Sequence, residues 1–186
     1  MKLLLIISIF VLSLFANDAD KLKEVVQTKS DIVISILKDE NLTRDTKFKK
    51  INDAVDSLFD YKLIAKLSLG KKGYRLLDKE QRKLFIELFT KDIKNFYFDK
   101  SDLLSDKKIV VTKAIEKKGR MVIFSEIIDK KDTNELIYKF YKNKQKKWLI
   151  YDVEVSGVSI IKKYKAQFQE MLSQNDVKKL FEYFNK

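Results

Sequence analysis

The sequence predicts an α+β domain, with N-terminal helices packed on one face of a curved four-stranded antiparallel sheet and C-terminal helices closing the fold. Three observations carry this. Up to Asp106 the apolar residues recur at helical spacing. Beyond Asp106 they alternate with polar residues in four short runs. The turns between those runs are short and polar, which implies an antiparallel meander.

The chain opens with Lys2, an apolar run from Leu3 to Phe15, then Ala16 before polar Asn17-Asp18. That three-part pattern reads as a secretory signal peptide over residues 1–16. The run is too short to cross a bilayer, which takes about 20 helical residues. Residues 17–186 are then one domain with one core, and with no cysteine there is no attachment point for an N-terminal lipid anchor. A soluble exported protein of the periplasm is the expectation.

From Ala19 to Asp39, Leu22, Val25, Val26, Ile32, Val33, Ile36 and Leu37 mark a first helix. Thr43 or Asp45 can cap a second, with Phe48, Ile51, Val55, Leu58 and Phe59 on one face. A third covers Tyr61 to Leu69 and is expected to stop at Gly70. Asp78 with Gln81 forms a variant capping box opening a long helix, with Leu84, Phe85, Leu88, Phe89, Phe96 and Tyr97 along one side.

The strand-like runs are Lys108 to Glu116, Met121 to Asp129, Glu135 to Lys142 and Lys147 to Val155. In the second, Ile123, Ser125 and Ile127 oppose Glu126; in the third, Leu136, Tyr138 and Phe140 oppose Lys139. In the fourth, Tyr151, Val153 and Val155 oppose Asp152 and Glu154. One face of the sheet is therefore apolar and rich in large side chains. Gly157 ends the last strand, a helix follows near Ser159 to Ser173, and a shorter one near Asp176 to Phe184.

Composition removes most chemistry. There is no histidine and no cysteine, so Ser-His-Asp and Cys-His nucleophiles cannot form, and zinc or copper sites lose their preferred ligands. Gly70, Gly73, Gly119 and Gly157 make neither a phosphate loop nor a dinucleotide fingerprint. No cofactor or metal is expected, and no enzymatic activity. Asp60 and Asp152, each inside an apolar stretch, are the carboxylates that could serve as a general base. Their plain roles are a cap or turn for Asp60 and an outward strand residue paired with lysine for Asp152. Net charge is +12, almost all of it from lysine spread along the chain. Base and phosphate recognition favours arginine, so nucleic acid is not expected, while transient attraction to an anionic membrane surface is.

Thirteen Phe, eight Tyr and one Trp are many for a domain of this length. They either fill an ordinary core or enclose an apolar cavity between helices and sheet. The residues that would line such a cavity are Phe59, Ile64 and Leu67, then Phe85, Phe89 and Tyr97 of the long helix. The strands would add Ile123, Ile127, Tyr138, Phe140, Tyr151, Val153 and Val155, and the closing segment Val158, Tyr164 and Phe168.

Several blocks carry a resemblance. They are Phe59-Asp60 through Leu69-Gly70, Gln81 through Phe89 with Tyr97, Trp148-Leu149-Ile150-Tyr151-Asp152-Val153, and Gly157-Val158-Ser159 on to Tyr164-Lys165-Ala166-Gln167-Phe168. Together they resemble the MlaC family, the toluene-tolerance auxiliary components of an ABC-type lipid transport system. Gly73-Tyr74 departs from the pattern, where such proteins often carry a tryptophan or a second aromatic. The resemblance implies a periplasmic phospholipid-binding shuttle with acyl tails held inside. It also implies partners in an inner-membrane ABC lipid transporter complex and an outer-membrane lipoprotein complex, and a part in outer-membrane lipid asymmetry. The alternative is an exported envelope interaction module with a fully packed core and no ligand.

Overall fold

Short polar side chains open the helices as the sequence predicts. Thr43 accepts from the Thr46 N–H at 3.2 Å, and Asp60 accepts from the Leu63 N–H at 2.8 Å. At Asp78 the capping box is complete: its carboxylate accepts from the Gln81 N–H at 2.8 Å, and the Gln81 side chain accepts from the Asp78 N–H at 3.0 Å. The computed structural model describes residues 18–130, 132–173 and 176–185, so the expected leader, residues 1–16, lies outside the described residues.

The order of elements is α1 (Asp18–Lys38), α2 (Arg44–Val55), α3 (Tyr61–Leu76), α4 (Lys79–Ser101), β1 (Lys108–Lys117), β2 (Arg120–Ile128), β3 (Thr133–Lys142), β4 (Trp148–Val155), β5 (Val158–Ser159), α5 (Ile160–Met171) and α6 (Val177–Glu182). The strands form one antiparallel sheet in sequence order. It has five strands rather than the four expected. The fifth is a two-residue strand made by a tight hairpin, in which Ser156 (φ 49°) and Gly157 (φ 81°) turn the chain so that Val155 pairs with Val158. Lys118 (φ 54°) and Gly119 (φ 69°) do the same between β1 and β2. Positive φ at both central positions is what a two-residue turn needs to match strand twist.

Two bulges bend the sheet, one between Val111 and Lys113 on β1 and one on β4, where Phe140 pairs with Ile150 although Lys139 pairs with Asp152. An extra residue on one strand increases local twist and coils the sheet. The curvature gives a face onto which the helices pack.

Gly70 does not end α3, contrary to expectation. It takes φ 73° and ψ 168°, a break inside the element, and the chain then resumes helical turns to Leu76. A residue with a Cβ is strained in that region, so glycine is the residue that lets α3 kink and keep running against α5. Close approach continues at Gly73, where an added Cβ would lie 2.8 Å from Leu172 Cδ1 and 3.0 Å from Leu69. Both leucines are buried and have little room to yield. Gly73→Ala should therefore destabilise the fold by about 1–3 kcal/mol, read as a lowered urea midpoint; an unchanged midpoint would show that the helices separate freely.

Long-range ties anchor α1. Asp18 accepts from Lys142 Nζ at 2.6 Å and from the Trp148 indole N–H at 3.0 Å. Further along the helix, the Gln27 amide donates to the Ile109 carbonyl at 2.9 Å and accepts from the Val111 N–H at 2.8 Å. Its buried stripe, Leu22, Val26, Ser30, Ile34 and Leu37, follows the i, i+4 spacing of a core-facing helix. On α4 the buried stripe is Phe85, Phe89 and Ile93; Leu84, expected with them, is exposed. Among the described residues no helix is long and apolar enough to cross a membrane.

Candidate functional site

The inward face of the sheet is built by alternation. On β2 the buried residues are Met121, Ile123, Ser125 and Ile127. Across β3 they face Phe140, Tyr138 and Leu136, and across β4 Ile150, Val153 and Val155. Opposite this face, Ile64 of α3, Phe85 and Phe89 of α4, and Tyr164 and Phe168 of α5 join the same core. Phe89 meets Tyr164 and Phe168 edge-on at 5.0 and 5.9 Å, and Phe85 meets Phe168 at 5.4 Å. Edge-to-face rings fill space efficiently and add attraction beyond area burial.

Of the sixteen residues expected to line a cavity, nine lie buried in this layer: Ile64, Phe85, Phe89, Ile123, Ile127, Phe140, Val153, Tyr164 and Phe168. Phe59, Tyr97, Tyr138 and Val155 are partly buried against it. Three fall elsewhere. Leu67 sits on the outer side of α3, because the inner stripe is Ile64, Ala65, Ser68 and Leu69. Val158 lies in the hairpin strand and is 57% exposed. Tyr151 packs on Tyr141 and under Arg120, both on the outer face, because the β4 bulge breaks the alternation that placed it inward. Ile150 takes its inward place.

Among the described residues the structure shows no open cavity between helices and sheet, where the sequence leads one to expect it. The layer between helices and sheet is closed by the protein's own rings and aliphatic chains: Phe85, Phe89, Met121, Ile123, Phe140 and Phe168 have no exposure at all. Two depressions among the described residues lie outside it. One of about 240 Å³ lies between α3 and α5, against Leu69, Lys72, Gly73, Gln169 and Leu172. Another of about 600 Å³ runs along α4 beside Phe48, Ile86 and Thr90. Neither is lined by a sheet residue.

Two hydroxyls sit in this dry layer without partners among the described residues, Ser125 Oγ on β2 and Ser68 Oγ on α3. Ser125 shares its face with Ile123 and Ile127 and is 1% exposed. A buried, unpaired hydroxyl costs about 1–3 kcal/mol, and the alternation Ile123-Ser125-Ile127 was the sequence signal that located it. Nearby, the Tyr138 hydroxyl shares a hydrogen bond with Ser30 of α1, and burial raises its pKa.

Polar groups gather where β4 hands the chain to α5. Asp152, 5% exposed, accepts from Ser159 Oγ at 3.0 and 2.8 Å, from the Ile161 N–H at 3.2 Å and from Lys139 Nζ at 3.1 Å. It is not the outward residue expected, although the lysine partner is there. Burial works to lower the Lys139 pKa, but Glu154, 2.7 Å away, and Asp152 hold it above the usual value. Burial, then the Asp152 charge, pushes the Tyr97 hydroxyl up to about 12. Burial and Asp92, which accepts from Tyr164 at 3.2 Å, push Tyr164 well above its ordinary range.

Asp60 is committed as the cap of α3, and its second oxygen accepts from the Tyr141 hydroxyl. That bond, more than burial, pushes Tyr141 up to about 12. A phenol raised in the folded state contributes stability that is complete below its unfolded pKa near 10 and is lost as pH climbs through the folded value. Wild type should thus exceed Tyr141→Phe in urea midpoint by a constant margin below about pH 9, and the margin should close toward about pH 12. A margin independent of pH would show that the hydrogen bond does not couple to ionisation.

The family described as MlaC protein matches residues 27–186. No curated protein matches the chain in sequence. Among solved structures, the phospholipid-binding protein from Ralstonia solanacearum, in complex with a phospholipid, has a TM-score of 0.75 at 20% identity, over 91% of this chain and 96% of that one. At that identity the likeness is one of fold.

Proposed function

The chain belongs to the MlaC family, and from that premise we propose that it is a phospholipid-binding shuttle of the periplasm, not an enzyme. The observation that carries this reading is the inward sheet face, an apolar surface from Ile127 to Val153 interrupted by the Ser125 hydroxyl, with helices laid over it. A fold of the same shape holds a phospholipid in the Ralstonia solanacearum protein.

The physics is that of solvent exchange for oil. Each CH₂ withdrawn from water is worth about 0.8 kcal/mol, so a long acyl chain brings on the order of 10 kcal/mol. Parting the helices from the sheet would draw on that energy. Tails would replace the ring contacts of Phe85, Phe89 and Phe168 with Phe140, Ile123 and Val153. Ser125 would give its hydroxyl to an ester oxygen of the lipid, relieving its unpaired state. Exchange partners would be an inner-membrane ABC lipid transporter complex and an outer-membrane lipoprotein complex, and the outcome would be maintained outer-membrane lipid asymmetry. Residues 1–16 would act as the export signal, leaving residues 17–186 as the single carrier domain.

Solvent extraction of protein purified from its host, followed by mass spectrometry, tests the reading. Phospholipid near stoichiometric amounts is expected. Recovery of none, with no uptake from vesicles, would leave the packed interaction module as the better account, since the closed interior suits that alternative.

A further inference from the structure

Positive charge without acidic partners gathers along two helices that pack on each other. Over its 16 residues α3 carries four lysines and Arg75 and no acid. The helix packed on it, α5, adds three lysines against Glu170. All eight basic side chains are exposed. On α2 and α4 several cations are neutralised in place: Arg44 by Asp99 and Asp102, Lys49 by Asp53, and Lys94 by Asp56. Among the described residues no lysine of α3 or α5 forms an ion pair.

The two helices present these charges together. The stem of Lys165 lies 3.4 Å from where a Cβ on Gly70 would be, and Lys72 and Gln169 share the depression between the helices. Lys62 lies in the first turn of α3, and Lys162 and Lys163 in that of α5; neither first turn holds an acid.

We infer that the α3–α5 face docks on an anionic phospholipid bilayer. The chemistry favours a bilayer over an acidic protein. Seven of the eight cations are lysine, a point charge suited to a diffuse sheet of headgroups, whereas paired recognition of carboxylates favours the arginine fork. Clusters of four to eight basic residues on a helical face are the usual signature of anionic-lipid adhesion. Leu67, 37% exposed, stands between Lys66 and Lys71 and can enter the interface. The inference stands apart from the carrier reading, because adhesion is scored without lipid uptake.

The test is co-sedimentation of the purified chain with phosphatidylglycerol-containing vesicles, with phosphatidylcholine vesicles as reference. Binding is expected to the anionic vesicles at low salt only. Neutralising Lys66, Lys72, Lys162 and Lys165 to Gln should weaken it about fivefold per lysine, on the order of a hundredfold or more in all. The same change at Lys108, Lys113, Lys117 and Lys144, exposed on the sheet side, should cost less than about tenfold. Lysine acetylation of the wild-type chain gives an independent readout, with protection expected on α3 and α5. Equal losses in the two quadruple variants, protection spread evenly, or no adhesion to anionic vesicles at low salt would each overturn the inference, the last pointing to an acidic protein instead.

Discussion

Replacing Asp152 by Ala should lower the unfolding free energy by about 3–5 kcal/mol, one of two large effects that bear on the architecture. The carboxylate is 5% exposed and gathers Lys139, both contacts of Ser159 Oγ and the Ile161 N–H. Truncation leaves Lys139 with Glu154 alone, takes the acceptor from the Ser159 hydroxyl proton and frees the Ile161 N–H, while Ser159 still caps α5 through the Lys162 N–H at 3.2 Å. Removing one member of a buried charged set costs more than the set contributes, because the remaining groups cannot reach water. Asp152→Asn keeps the acceptor and should cost less, about 1–2 kcal/mol. Lys139→Gln should also cost less, since Lys139 keeps more contact with solvent than Asp152 does. Urea midpoints of the three variants check the order; a loss below about 1 kcal/mol for Asp152→Ala would mean that β4 and α5 are held by apolar packing alone.

Phe140→Ala should cost a similar amount, about 3–5 kcal/mol, through the cavity it leaves. Phe140 is fully buried in the row it forms with Met121 and Ile150. Here the two functional readings part. If acyl tails occupy this layer, delipidated Phe140→Ala should regain stability on addition of phospholipid vesicles, because a ligand that binds only the folded state stabilises it by mass action. If the core is only a core, vesicles should leave the variant as unstable as before. Calorimetry with and without vesicles distinguishes them, and absence of recovery in both variant and wild type would tell against lipid in this layer.

How much of this was legible in the sequence follows from which signals are local. The caps at Thr43, Asp60 and Asp78 are local chemistry, and each predicts the start of its helix. The strands were legible from alternation, as was the inward set Ile123, Ser125, Ile127, Tyr138 and Phe140. Alternation failed at Tyr151, where one extra residue on β4 reverses parity for what precedes it. No residue type marks that bulge. Gly70 signalled a positive φ correctly, yet whether the chain stops or kinks depends on α5 lying alongside, a tertiary fact. The burial of Asp152 was hidden for the same reason: its partners Ser159 and Ile161 arrive only once the hairpin at Ser156-Gly157 has folded back. The aromatic excess was equally compatible with a hollow and a filled interior, and the rings of Phe85, Phe89, Tyr164 and Phe168 meet one another in this structure.

The side chain of Gln27 has a consequence beyond anchoring α1. β1 lies at the open margin of the sheet, and its Ile109 carbonyl and Val111 N–H are the groups a foreign strand would seize. Gln27 occupies both, like a stopper in a port, and the opposite margin is only two residues long. Along this part of its border the fold therefore offers a foreign strand no free donor–acceptor pair, which blunts edge-to-edge growth there.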